Sequence, residues 1–244
     1  MKAVVTTGGR VDGEYARLGG TAVKALAPVR GVTMLDRILD ALRGASASRI
    51  AVVGGSEVRA ACEARVERFV DEGITGEQNV ALALHAWDDD DEPLLYATSD
   101  LPYVTPASVD GFIRRVPAGA IGMPLIEHAA FTARWPQAPP AGITLAGERV
   151  INGGVFLLPP GSRDRIAGLA ATFFSARKAP WRMASIIGVV PLLRLAAGRL
   201  SVAAVEREAS RVAGLPCVAV RGCAPELAFD ADTVAEYRYA CEHA

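Results

Sequence analysis

The feature that most constrains this chain is found in its first 115 residues, where short apolar, β-rich runs alternate with segments of helical spacing. Residues 2–7 read as a buried strand that ends at Gly8-Gly9. Residues 33–45 set Met34, Ile38, Leu39 and Leu42 at helical spacing behind Thr33, a good N-cap. A second buried strand is expected at 49–54, a weaker one at 66–70, a helix at 79–87 and a strong strand at 93–98. Thr105 then caps a helix that has Pro106 at its first position and runs to Arg115. Such alternation argues for a parallel, doubly wound sheet. Right-handed crossovers gather the carboxyl ends of its strands on one edge, where ligands of open α/β sheets bind. That edge collects Gly8-Gly9, Gly54-Gly55, Gly73 and Ser99-Asp100.

The second half is less regular. Residues 135–140 are rich in proline. Residues 150–158 read as one strand interrupted by Gly153-Gly154, where a ligand or another backbone approaches closely. Helices are expected at 162–175, 181–198 and 204–213, then a short strand at 217–220 and a closing helix after Asp232-Thr233. No internal repeat or low-complexity linker divides the 244 residues, so residues 1–244 are expected to form one domain with halves at 1–115 and 116–244. With 51% hydrophobic residues the chain can fill a core.

Charge and composition exclude several classes. Twenty-six basic residues against 27 acidic ones give a net charge of -1, which argues against a nucleic-acid partner and against a membrane surface. The four cysteines, Cys62, Cys217, Cys223 and Cys241, form no CxxC pair, and three histidines are too few for a multi-histidine metal site. Unpaired thiols and no export signal after Met1-Lys2 lead to the expectation of a cytoplasmic protein. Residues 183–200 are apolar, but Arg194, Arg199 and Pro191 interrupt them, so a buried helix pair is expected rather than a membrane span. The same segment could serve a homodimer interface. The acidic run at 88–92 reads as a solvated helix end.

Four elements could carry chemistry. Gly8-Gly9 lets a backbone approach a polyphosphate without a Cβ clash, or simply makes a tight turn. Lys24, before the apolar run 25–29, can set one ammonium against phosphate charge. Neither a Walker A loop nor GxGxxG is present. Asp100, at the end of an apolar strand, either binds magnesium with waters and substrate phosphates or caps a turn. Asp230 and Asp232 share a face of an extended segment and offer a second carboxylate, while Asp232 could equally cap the last helix. Asn79 hydrogen-bonds a base or ribose, or caps its helix.

In this order the elements resemble those of the MobA-like nucleotidyltransferases. The opening strand, Thr7-Gly8-Gly9, the loop and Lys24 before an apolar run match that family's first signature. Ser99-Asp100-Leu101-Pro102 matches its Asp-x-Pro strand end, 73–82 its base-side segment and 230–233 its closing Asp-x-Asp-Thr. The resemblance implies a three-layer, Rossmann-like fold of the GT-A type, with a mostly parallel twisted sheet and helices on both faces. It implies an enzyme that transfers an NMP from an NTP to a phosphorylated small-molecule acceptor, releases pyrophosphate and depends on Mg2+. Residues 1–115 would bind the nucleotide and 116–244 the acceptor. Lys24 and Asp100 would be catalytic, Thr7, Gly8, Gly9, Lys24, Gly73, Asn79 and Ser99 would hold the nucleotide, and Asp100 and Asp232 the metal. The acceptor would lie across Glu127, Asn152, Gly153, Gly154 and Lys178. The chain departs from the family in its first loop: residues 10–23 replace a compact Arg-Met-Gly, and Thr7 replaces alanine. Two rival expectations are a GT-A glycosyltransferase using a nucleotide sugar, usually marked by a DxD that Ser99-Asp100-Leu101 lacks, and a non-catalytic nucleotide-binding homologue.

Overall fold

A computed structural model describes residues 1–47, 49–176 and 188–243. In the first half, β1 (Lys2–Thr6) is followed by α1 (Gly13–Gly19), the hairpin β2 (Pro28–Val29) and β3 (Val32–Thr33), and α2 (Met34–Gly44). Next come β4 (Arg49–Gly54), α3 (Ser56–Cys62), β5 (Arg68–Asp71), α4 (Gly76–Leu84), β6 (Leu94–Thr98) and α5 (Pro106–Ile113). The second half contains β7 (Ile121–Glu127), α6 (His128–Arg134), β8 (Ile143–Leu145), β9 (Glu148–Asn152), β10 (Val155–Leu158) and α7 (Arg163–Ala176). It continues with α8 (Val189–Ala196), α9 (Val202–Ala213), β11 (Cys217–Val220) and α10 (Val234–His243).

Nine of these strands form one mixed, mostly parallel sheet in the order β5-β4-β1-β6-β10-β7-β9-β8, with β11 beside β7. β5, β4, β1 and β6 run parallel, so their carboxyl ends share one edge. β10 lies antiparallel between β6 and β7, and β11 pairs parallel with β7.

Strand residues alternate between two cores, as they must when both faces are covered. Ala3, Val5, Val52, Leu95 and Ala97 pack on one face beneath α2, α5 and α10. Val4, Ala51, Val53 and Leu94 pack on the other, beneath α4 and α7. Helix starts follow local chemistry. Thr33 accepts a hydrogen bond from Asp36 N, and Thr75–Gln78 and Thr105–Ser108 form capping boxes.

Several expectations need correction. The helix expected at 79–87 is Gly76–Leu84, because Thr75 and Gln78 cap it three residues earlier. The strand expected at 150–158 is two strands. At Gly153-Gly154 the chain leaves one pairing for another: Gly153 N donates to Pro124 O (2.9 Å) and Gly154 N to Leu227 O (2.8 Å). Of the described part of 183–200, Leu200 is buried but α8 is not. Val189, Val190, Leu193 and Leu195 of α8 are exposed, since an inward-turned helix would carry Arg194 with it at a large desolvation cost. Among the described residues no helix is long and apolar enough to cross a membrane. α1, α3, α6, β7 and β8 had no clear sequence signal.

The acidic run is solvated at Asp88, Asp89 and Asp91, but it lies beyond the end of α4 and also closes on the sheet. Lys2, at the amino end of β1, is only 1% exposed. Its ammonium meets Asp89, Asp91 (3.3 Å) and Glu92 (3.2 Å), while Asp90 faces Arg163 (Nε 3.0 Å). The run therefore closes the edge of the sheet opposite the glycine loop. Truncation of Lys2 removes both its buried stem and the charge that offsets three carboxylates. We expect Lys2→Ala to lower the unfolding free energy by about 3 kcal/mol and Lys2→Met, which keeps the stem, by less than half of that, as read from denaturant midpoints.

Candidate active site

The glycine edge contains a cavity of about 500 Å³, a size suited to a small-molecule ligand. Gly8, Gly9, Lys24, Gly73, Asn79, Ser99 and Asp100, all singled out in the sequence, line it together. Arg10, Glu72, Ile74, Val80 and Tyr96 are also part of the wall. Each of these is a sequence neighbour of an expected site residue or, like Tyr96, lies on the Asp100 strand. Only tertiary structure pairs Arg10 Nη2 with Glu72 Oε1 at 2.6 Å, 62 residues apart.

The long first loop is closed at its neck. Lys24 N donates to Gly9 O (3.0 Å), Val11 N donates to Ala22 O (2.9 Å), and Arg10 bridges Val23. Lys24 therefore stands beside Gly9 whatever lies between. The inserted residues form α1, whose buried Tyr15 stacks on Tyr237 at 4.6 Å and donates from its hydroxyl to Ala231 O (2.7 Å). Ala231 N in turn donates to Asp100 O (3.0 Å). One peptide unit on each side of Ala231 is thus fixed, and Asp232 is brought to Asp100.

The Lys24 ammonium lies between the two carboxylates, 2.6 Å from Asp100 Oδ2 and in contact with Asp232 Oδ1. Burial works against its charge, but Asp100 and Asp232 outweigh that and raise the Lys24 pKa above the usual lysine value. Asp230 keeps an exposed surface. Partial desolvation, followed by the charges of Asp232 and Asp100, pushes its carboxyl up to about 6. Asp100 Oδ1 is buried without a hydrogen-bond partner. Neither aspartate is spent as a cap, because Thr105 caps α5, and Thr233 with Glu236 closes the first turn of α10.

An orphaned carboxylate oxygen beside a second carboxylate is a hard-oxygen donor set. Magnesium needs only one or two protein carboxylates when waters and phosphates supply the rest, so Asp100 and Asp232 fit it. No cluster of three or more His, Cys, Asp or Glu side chains suited to a metal occurs among the described residues.

Asn79 reaches the cavity wall from inside α4, and the remaining expected site residues lie elsewhere. Asn79 Oδ1 accepts from Gly73 N (2.7 Å), so its amide NH2 is turned to Gly8. Thr7 is buried and donates to Val53 O (2.8 Å), away from the cavity wall. Glu127, 3.9 Å from Arg221, and Asn152 stand at strand ends beyond the cavity. A Cβ on Gly153 or Gly154 would meet Leu227 O (2.8 Å) or Thr98 Oγ1 (2.6 Å), so protein atoms fill those spaces. Lys178, with Arg177 and Trp181, lies outside the described residues.

A Cβ at Gly8 would fall inside the contact distance of Asn79 Nδ2. We therefore expect Gly8→Ala to displace Asn79 and lower the melting temperature by a few degrees, as measured by thermal unfolding.

The fold recurs among solved structures. The chain is similar to a hypothetical transferase from Thermus thermophilus, with 28% identity and a TM-score of 0.83 over 97% of this chain and 100% of that one. A nucleotidyl transferase from Methanothermobacter thermautotrophicus gives 18% identity and a TM-score of 0.55 over 99% and 96%. A Mycobacterium tuberculosis protein solved with manganese gives 21% and 0.56 over 100% and 98%. A comparison with curated proteins gives no match. Residues 3–236 match the MobA-like NTP transferase domain. With that match spanning nearly its whole length, the chain belongs to the MobA-like NTP transferase family and is an enzyme of the nucleotidyltransferase class.

Proposed function

We propose that this enzyme transfers an NMP from an NTP to a phosphorylated small-molecule acceptor and is Mg2+-dependent. The observation that carries this reading is the Lys24 ammonium set between Asp100 and Asp232 at the mouth of a glycine-lined cavity. An oxygen of the acceptor phosphate attacks the α-phosphorus. The bond from that phosphorus to the bridging oxygen breaks, and its electron pair leaves on pyrophosphate. Phosphoryl chemistry of this kind needs charge neutralisation and in-line positioning more than covalent machinery.

In this reading the backbone of Gly8 and Gly9 lies against the triphosphate, and Lys24 offsets charge on the α-phosphoryl or the departing pyrophosphate. Ser99 and Gly73 bound the nucleotide. Asn79 offers its NH2 to an acceptor atom of the nucleoside, because its carbonyl already serves Gly73. Asp100 and Asp232 would hold Mg2+, which when bound supplies positive charge to the phosphates. Residues 1–115 would serve the nucleotide and 116–244 the acceptor, across Glu127, Asn152 to Gly154 and Lys178. The cysteines Cys62, Cys217, Cys223 and Cys241, all free, suit action in the cytoplasm.

The test is pyrophosphate release from each NTP across a panel of phosphorylated metabolites. Asp100→Ala is expected to lower turnover by at least about a hundredfold while melting near the wild-type temperature. Wild-type-like turnover in that variant would refute the role of Asp100. Sugar transfer from a nucleotide sugar without pyrophosphate release would favour the glycosyltransferase alternative, and NTP binding without turnover on any acceptor the non-catalytic one.

A further inference from the structure

One ammonium cannot serve the phosphates and the carboxylates at once. Lys24 Nζ is 2.6 Å from Asp100 Oδ2 and touches Asp232 Oδ1. Bonds from magnesium to oxygen are about 2.1 Å long, so an ion shared by these two oxygens needs the space that the ammonium fills. Repulsion between the two cations excludes their sharing it. The walls of the site show the consequence. Lys24 and Asp100 line the cavity bounded by Gly8 and Gly9, whereas Asp232 lines a neighbouring cavity of about 440 Å³ with Asp12, Glu14 and Tyr15. In this position Lys24 separates the nucleotide cavity from the second carboxylate.

The ammonium is also an incomplete substitute for a metal, because it leaves Asp100 Oδ1 buried and without a partner. It has another place to go. The Lys24 backbone is tied to Gly9 O (3.0 Å), and its stem runs beside Gly9, where a Cβ would stand 3.2 Å from Lys24 Cε. With no side chain at Gly9, rotation of the stem can carry the ammonium from the carboxylates to the glycine backbone. We propose that Lys24 is a placeholder for the metal: its ammonium holds Asp100 and Asp232 together and yields that place when a polyphosphate gives it another partner. Metal and nucleotide then bind together, and metal alone is kept out. This rests on the nucleotidyltransferase reading above. By linkage, whatever draws the ammonium away from the carboxylates raises their affinity for the ion by the same factor as the ion favours its departure.

The experiment titrates Mn2+, a divalent ion that takes oxygen ligands as magnesium does, into the protein without nucleotide and reads the free ion by electron paramagnetic resonance. Lys24→Met should lower the Kd for Mn2+ at least about tenfold relative to the wild type, because apparent affinity is reduced by the fraction of molecules whose site is open to the ligand. The gain should vanish when Asp100→Asn is added to Lys24→Met. Mn2+ should also raise the melting temperature of Lys24→Met more than that of the wild type. Lys24→Gln, also neutral, gives the same reading if Lys24→Met does not fold. Equal, measurable Kd values for the wild type and Lys24→Met overturn the proposal and leave the functional reading standing, and so does a gain that survives Asp100→Asn. No Mn2+ bound by either protein overturns the proposal together with the assignment of Asp100 and Asp232 as metal ligands.

Discussion

Lys24 places one positive charge between Asp100 and Asp232, residues 76 and 208 positions away in the chain. Without a cation there, three aspartates on two neighbouring segments would repel. The closing segment is held in place by more than charge. The Ala231 peptide bonds to the Asp100 carbonyl on one side and to the Tyr15 hydroxyl on the other. Backbone geometry thus sets the distance between the carboxylates, and the cation makes that distance tolerable.

The extended first loop follows the same logic. Lengthening a closed loop costs little entropy once its ends are paired, and here the pairing of Gly9 with Lys24 and of Val11 with Ala22 does that work. The additional residues are folded into α1, and its Tyr15 is what braces Ala231. What looked in sequence like a departure from the family's compact loop is a brace for the segment that carries the second carboxylate.

At the opposite edge of the sheet the charges are arranged for stability. Lys2 and Arg163 are almost fully buried and face the carboxylates of residues 89–92. The two edges of one parallel sheet thus hold two carboxylate clusters of different character. One is paired with Lys2 and Arg163 of the chain itself. The other leaves Asp100 Oδ1 unpartnered beside the cavity.

The sequence by itself determined the order of β1, β4, β5 and β6 and the residues that follow each one. The runs of β1, β4 and β6 are apolar, buried on both faces and terminated by Gly-Gly or Ser-Asp, and parallel crossovers send the strand ends, that of the weaker β5 included, to a common edge. Thr33 and Thr105 were legible as caps because capping is local. The tertiary structure decided what depends on contacts across long separations. It turned the acidic run onto Lys2, split 150–158 into two strands by drawing Gly153 and Gly154 against other backbones, and faced Asn79 towards Gly8. It also paired Arg10 with Glu72. None of these is visible in a local window, because the partner of each lies elsewhere in the chain and only the packed sheet brings the two together.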